Sequence, residues 1–532
     1  MTNKTSGPGL AKIFGLVAIL TVLSKVAGLA RDIVVLQAFG TSVVADAYNY
    51  AYLLTGNVLV LFGGLGGPFH SSTVAILTPL KDEEGTGRLV GQLFLFTVLG
   101  LAALSIVAWF AAPFLVSLIA PAPGHTDSYR QLLWHETTGQ LRIMLPLVVI
   151  AGVVGISYGI LNVYGQFFWP SLSPAIASLS IIVAVVGFAD TTGGLALAMG
   201  TLVGAIGQML AQVPGMARSP LKWGISARAQ PGLDSYAAML WPAMVSTSIG
   251  QLNIYIDSFF TSQLREGSWT AIVNANRLIQ LPLGVLLTAM LVPILPRFTQ
   301  QVAEKRIDDL KAELRRALNF LWFLALPMAA LLLAVPGPII QVLFERGQFN
   351  EVSRQLVTTA LVFLVPSIFF YVARDLVTRV FYAHHDSRTP YHVALVAIVV
   401  HLVLDWLLVG PLGIGGIALA TTLVTVFNLL LLGFLLRQKI GGLGFTSLIK
   451  PVGVMLAAAA ACGLVAYGSQ GHLASLFAPA QFLGLLASVA CSCALGLLVY
   501  AGVCLMFRLE EPRMLVKRVL TRKGAEERSN PG

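Results

Sequence analysis

From Leu10 to Phe507 the chain alternates long apolar windows with short breaks of charged residues, glycine and proline, and about 20 apolar residues is the length at which a helix crosses a bilayer. Of the 532 residues 56% are hydrophobic and only 11% charged, a balance foreign to soluble domains. The windows predict an all-α polytopic membrane protein with about fourteen spans. They fall at 10–37, 43–66, 88–119, 138–163, 168–188, 193–214, 235–262, 268–296, 317–343, 354–383, 390–410, 413–436, 449–469 and 482–507. The first is not expected to be a cleaved signal peptide, because Lys25, Arg31 and Asp32 interrupt it and no Ala-x-Ala type site precedes the next window.

A formal net charge of +10 would suit nucleic acid in a soluble protein, but most Lys and Arg lie between windows, so no nucleic-acid partner is expected. Basic residues crowd alternate breaks: Lys81 and Arg88, then Arg218, Lys222 and Arg228, then Arg297 to Arg316, Arg388, Arg437 to Lys450, and the stretch from Arg508 to Arg528. The intervening breaks hold little beyond Arg130, Arg265, Arg346 and Arg354. This parity predicts an even number of spans with both termini cytoplasmic. The four cysteines, Cys462, Cys491, Cys493 and Cys504, fall in the last two windows and read as packing residues.

The charge-mixed stretch Arg297–Arg316 predicts a helix lying on the cytoplasmic surface. A break at Ser219–Asp234 is expected to separate two six-helix lobes, 1–218 and 219–440, followed by a pair of helices in 441–510 and a basic tail in 511–532. Internal repetition is faint, with Asp32 echoed by Asp257.

A charge at mid-membrane costs roughly 3 kcal/mol and persists by facing a partner or a wet cavity. Such charges are Lys25, Arg31, Asp46, Arg142, Asp257, Arg277, Arg374, Asp375, Arg379, His401 and Asp405. Arg142 and Arg379, near window ends, read as snorkelling side chains, and Arg374 beside Asp375 as either a buried pair or a ligand. Lys25, Arg31 and Arg277 lie in the first two helices of each expected half, where a cleft between halves would be lined. Lys25 and Arg31 are six residues, or about 9 Å of helix, apart, which suits a multi-charged head such as a diphosphate. No phosphate-binding loop, nucleophile elbow or zinc-protease pair is present, so an enzyme is not expected, and His384, His385 and Asp386 read as solvated loop residues. Transport would then run on an ion gradient, the membrane potential or the substrate's own gradient.

The run Ser24-Lys25-x-x-Gly28-x-x-Arg31-Asp32 followed by Asp46-Ala47 resembles the first two helices of the MurJ (MviN) family of lipid II flippases, in the MOP transporter superfamily. So do Asn276-Arg277-Leu278 with Pro282, Gly284 and Pro293, the turn Leu343 to Phe349, Phe381-Tyr382-Ala383 leading to Asp386-Ser387-Arg388-Thr389-Pro390, and Gly410 to Gly416. The resemblance implies two lobes around a cationic cavity that alternates between the membrane faces, and a last helix pair that forms a groove for a polyprenyl tail. It implies a monomer in the bacterial inner membrane that flips lipid II to the outer leaflet. Lys25, Arg31 and Arg277 stand on the family's cavity cations, and Asp46 on its second-helix acid. A sodium ion bound in some members would correspond here to Asp257, His401, Asp405, the Ile417 carbonyl and Thr421, with His401 replacing an amide. The alternative within the superfamily is an ion-coupled exporter of another lipid-linked oligosaccharide or of drugs.

The chain departs from the family in the second helix, where Leu59-Val60 and a glycine-rich Gly63 to Pro68 stand in place of an arginine pair. Arg142 or Arg374 is expected to compensate, or the head group differs. On that reading a guanidinium restored at Leu59 is tolerated and offsets loss of Arg374.

Overall fold

The computed structural model describes residues 10–81, 83, 85–224, 226, 230–442, 446–477, 481–509 and 511–512. Those residues are helical with no strand among them, and they form two compact units, Met1–Thr270 with Arg346–Ser353, and Ala271–Glu345 with Arg354–Gly532. The packing boundary thus follows Thr270, whereas the lobes expected from helix count divide at residue 218. The basic tail expected at 511–532 lies outside the described residues beyond Pro512.

The first unit contains α1 (Leu10–Phe39), α2 (Val43–Leu54), α3 (Gly56–Leu61), α4 (Pro68–Leu80), α5 (Thr86–Ile119), α6 (Asp127–Met144), α7 (Pro146–Val163), α8 (Phe168–Thr192), α9 (Leu195–Leu210), α10 (Val213–Ala217), α11 (Leu233–Gly250), α12 (Leu252–Thr261) and the first turn of α13 (Ser268–Ala303). The second contains the rest of α13, α14 (Ile307–Ala334), α15 (Pro336–Phe344), most of α16 (Glu351–Leu364), α17 (Ser367–Ala383), α18 (Arg388–Leu412), α19 (Ile414–Ile440), α20 (Thr446–Phe477) and α21 (Gln481–Met506).

Nine helical segments among the described residues are long and apolar enough to cross a bilayer, or ten if α16 and α17, bent by 45°, form one span. The remaining expected windows, 10–37, 43–66, 235–262 and 268–296, are helical without being among those nine or ten. Two of them are broken helices. Thr55 leaves helical geometry at φ −128°, ψ −56°, separating α2 from α3, and Gln251 separates α11 from α12.

The sequence expectation missed α4 altogether. Gly67 and Pro68 start it, the proline taking a first-turn position where its missing N–H costs nothing. The glycine-rich stretch before it lets backbone touch backbone. A Cβ on Gly63 would lie 2.4 Å from the Ala151 carbonyl oxygen of α7, and one on Gly155 would lie 3.2 Å from Gly63 Cα. The segment Ser219–Asp234 is likewise no free linker. The buried Gln92 side chain donates to the Ser226 carbonyl at 2.7 Å and accepts from the Gln230 amide at 2.9 Å, while Leu221 joins an apolar cluster with Leu77, Leu89 and Tyr236.

The surface helix expected over Arg297–Arg316 does not exist as a separate element. α13 runs on to Ala303, Lys305 turns at φ +57°, and α14 starts at Ile307. The charged stretch belongs to the ends of two long helices because Leu310, Leu314, Leu318, Leu321 and Ala325 form one continuous buried stripe along α14. Arg297 pairs with Glu313 at 3.2 Å across the turn.

The turn between α17 and α18 is also more structured than a solvated loop. Asp386 accepts from the Thr389 amide at 3.0 Å and hydroxyl at 2.9 Å, and from Lys439 Nζ on α19 at 2.5 Å. These donors, the lysine first, hold its carboxyl down at about 2. A carboxyl depressed on folding stabilises the native state above its unfolded pKa and loses that contribution as pH falls toward the folded value. The Tm of wild type should therefore exceed that of Asp386→Asn near neutral pH, and melting curves should show the gap closing from about pH 4 downward.

Candidate functional site

In the first unit, α1 packs along α8, and Ser24 donates to the Ser171 carbonyl at 3.1 Å. Lys25, one residue on, is half-buried and has no ion-pair or hydrogen-bond partner among the described residues. Arg31 is different. Its Nε and Nη2 both donate to Asp32 Oδ1, at 2.9 and 2.7 Å, so the cation and the acid noted in the sequence form one dyad.

Asp46, expected from the sequence to contact substrate, is hydrogen-bonded within the protein. It sits buried in the first turn of α2, with Oδ2 accepting from the Gly267 amide at 2.7 Å and Oδ1 from the Thr270 amide at 2.8 Å and hydroxyl at 2.7 Å. It thus caps the N-terminus of α13, where free amides and the helix dipole favour an anion. The arrangement is reciprocal, because Glu266 Oε1 accepts from the Val43 amide at the start of α2, at 2.7 Å. Tyr50 stacks on Trp269 at 5.4 Å between ring centroids, and Asn49 donates to Thr270 Oγ1 at 3.1 Å.

The Leu343–Phe349 motif acquires a physical meaning at the same place. The Gln348 amide donates to the Gln37 carbonyl at 2.9 Å, and Gly347, at φ +57°, has no room for a Cβ, which would lie 2.4 Å from that oxygen. Thr41 and Ser353 share a hydroxyl hydrogen bond of 2.8 Å.

In the second unit Arg277 is half-buried on α13. Arg374 on α17 repeats the Arg31 geometry: Nε and Nη2 donate to Asp375 Oδ1 at 3.3 and 2.8 Å, and its guanidinium lies 4.1 Å from the Tyr371 ring centroid. Arg142, in the first unit, lies over Trp109 at 4.6 Å and reaches the Trp109 carbonyl, consistent with a snorkelling side chain. Of the two residues proposed to replace the absent arginine pair, Arg374 is thus the one that forms a dyad with a neighbouring carboxylate.

Of the residues aligned with a sodium site, Asp257 belongs to the first unit, buried on α12, and the other four belong to the second. There His401 Nε2 lies 3.7 Å from Asp405 Oδ2, one turn along α18, with both side chains buried. On α19 the Ile417 carbonyl accepts from Thr421 Oγ1 at 3.2 Å. The oxygens of Asp405, Ile417 and Thr421 are of the type that ligates a hard cation, whereas the imidazole nitrogen of His401 is a softer donor.

The second helix requires the clearest correction. Leu59 is only 8% exposed and packs with Leu147, Ile150, Ala151 and Val154, whereas Val60 is 59% exposed. The helix breaks at Thr55, just before this pair, and a Cβ on Gly56 would lie 2.2 Å from the Tyr52 ring. An arginine at Leu59 would be buried in an apolar cluster, so the expectation that it is tolerated does not stand. Leu59→Arg should be lost from the membrane fraction, with a stability loss of roughly 3 kcal/mol or more, while Val60→Arg should accumulate near the wild-type level; immunoblots of membranes separate the two.

The sequence did not reveal the partners of Asp46, which lie more than 200 positions away; the glycine of Glu266-Gly267-Ser268 is the one local sign of a turn. It did contain the Arg-Asp dipeptide twice, a repetition more informative than the echo of Asp32 in Asp257.

Comparison with known proteins identifies the fold and the family. The model of the family described as "Lipid II flippase MurJ" matches residues 35–488. A "Probable lipid II flippase MurJ" from Synechocystis sp. is 32% identical over 485 residues, covering 88% of this chain and 89% of the relative. "Lipid II flippase MurJ" from Burkholderia cenocepacia is 28% identical over 433 residues, 79% of this chain and 82% of that protein. Among solved structures, "Lipid II flippase MurJ, inward closed conformation" superposes with a TM-score of 0.74 at 21% identity, covering 94% of this chain and 99% of that one. An inward-facing multidrug resistance MATE transporter of the MOP superfamily gives 0.59 at 15% identity, over 84% and 98%, a likeness of fold alone. With its helical membrane architecture and a family match spanning most of its length, the chain belongs to the MurJ lipid II flippase family.

Proposed function

We propose that this protein carries lipid II, the polyprenyl-diphosphate-linked peptidoglycan precursor, from the cytoplasmic to the outer leaflet of a bacterial inner membrane by alternating access. The observation that supports this most is the placement of half-buried cations on apolar helices: Lys25 and Arg31 on α1, Arg277 on α13 and Arg374 on α17. Guanidinium groups donate to phosphate oxygens in a fork, so cations of this kind on apolar helices suit an anionic cargo. Family membership supports the identity of that cargo. The substrate, on this reading, is moved and not chemically altered, the protein acts as a monomer without nucleic acid, and both termini face the cytoplasm, as the distribution of Lys and Arg favours. The lobes and the terminal helix pair drawn from the sequence, 1–218, 219–440 and 441–510, remain part of the proposal, with α20 and α21 contacting the lipid tail.

The test is complementation of a cell depleted of its own lipid II flippase. Wild type should restore growth; Arg277→Ala should fail while reaching the membrane at normal levels, and Arg277→Lys should restore growth partly, since a point charge replaces a planar fork. A growing Arg277→Ala strain would overturn the assignment of this cation.

Sodium coupling is part of the proposal only through the oxygens of Asp405, Ile417 and Thr421. Bound sodium would neutralise the buried carboxylate of Asp405. Sodium should then raise the Tm of wild type above its value in potassium, and should not do so in Asp405→Ala; equal melting in the two salts would remove sodium from the mechanism.

A further inference from the structure

A carrier that delivers an anion must pass through an empty state, in which each cation that held the cargo is left at membrane depth. A half-buried guanidinium without a counter-ion is costly there, and a carrier whose cation had no partner other than the cargo would release that cargo too slowly to turn over. The two Arg-Asp dyads answer this requirement in the same way. Arg31 and Arg374 each place Nε and Nη2 on a single oxygen of the next residue, at 2.9 and 2.7 Å in one and 3.3 and 2.8 Å in the other.

The geometry at Arg374 has three further properties. The pair spends only the Nε–Nη2 edge of the guanidinium, so the Nη1–Nη2 fork is not used by it. The Tyr371 ring lies against the guanidinium, 4.1 Å from its carbon, which limits the orientations of the plane. Both members of the pair remain about one quarter exposed, with side-chain values of 25% and 27%, so neither is sealed in a core. That exposure leaves the pair accessible to a competing anion, which exchange requires.

We propose that Asp375 is a release element: a resident counter-ion that keeps Arg374 neutralised when no cargo is bound, orients its guanidinium, and by its own negative charge weakens the hold on a diphosphate enough for it to leave. This rests on the lipid-diphosphate reading above and assigns to Asp375 a positioning role that reading does not contain. No bond is made or broken; one oxygen acceptor is exchanged for another on the same cation.

The test uses the purified full chain in nanodiscs, with undecaprenyl diphosphate as probe and undecaprenyl monophosphate as the lower-charge control. Asp375→Asn keeps the size and an oxygen acceptor while removing the charge. It should lower the Kd for the diphosphate roughly three- to tenfold, with a smaller gain for the monophosphate, while slowing flipping in complementation or vesicle assays. Tighter binding with slower turnover is the signature, because a purely structural pair would lose both or neither. Asp375→Glu should restore wild-type affinity. In an Arg374→Ala background the gain from Asp375→Asn should disappear. If Asp375→Asn does not accumulate, Asp375→Ser removes the same charge and carries the same expectation. A Kd within twofold of wild type for both uncharged variants, or an equal gain with and without Arg374, would show a structural ion pair and overturn the proposal. Absence of diphosphate binding by wild type, together with failed complementation, would instead overturn the proposed function.

Discussion

An ionised group placed among apolar helices is costly without a partner, and that electrostatic constraint fixes several of the junctions in this structure. Apolar side chains here have equivalent surroundings on many faces, whether lipid or protein, so they set depth and leave orientation open. The charged and polar groups settle orientation. Arg31 is fixed by Asp32, Arg374 by Asp375 and Tyr371, and Asp46 by the first turn of α13. The Asp46 cap is the most consequential of these, because it joins an early helix to residues 267–270 and so makes that distant turn part of the first unit.

Glycine makes the same junction possible from the steric side. Gly267 at φ +84° brings its backbone so close to Thr41 that a Cβ would lie 2.2 Å from the carbonyl oxygen. A side chain at that position would push away the very amide that Asp46 accepts from. Capping carboxylate and missing side chain are therefore two halves of one device, and neither has a function without the other.

The windows of hydropathy made the class of fold and the outer limits of many helical stretches legible, since length and apolarity are local properties of sequence. The charged positions were legible for the same reason: Arg31 and Arg374 stand out against their surroundings. What could not be read was direction around a helix. Leu59 and Val60 are adjacent and chemically alike, yet one is in an apolar cluster with α7 and the other is exposed, and the backbone breaks at Thr55 just before them. Helix α4 was hidden because a glycine-rich run reads as an end, and only its packing against α7 shows it to be a close approach. Partnership across long separations, as between Asp46 and Thr270, leaves no pattern in a single chain.

The Gln92 clasp and the Asp386 clasp secure two turns by opposite means. Asp386 relies on an ammonium group at 2.5 Å and is open to protons and to screening by salt. Gln92 is neutral, holds one carbonyl and one amide of the same segment, and offers neither protons nor counter-ions anything to compete for. High salt or acid can therefore loosen the second turn while the first stays constant, so a single chain carries one fastening that responds to its medium and one that does not.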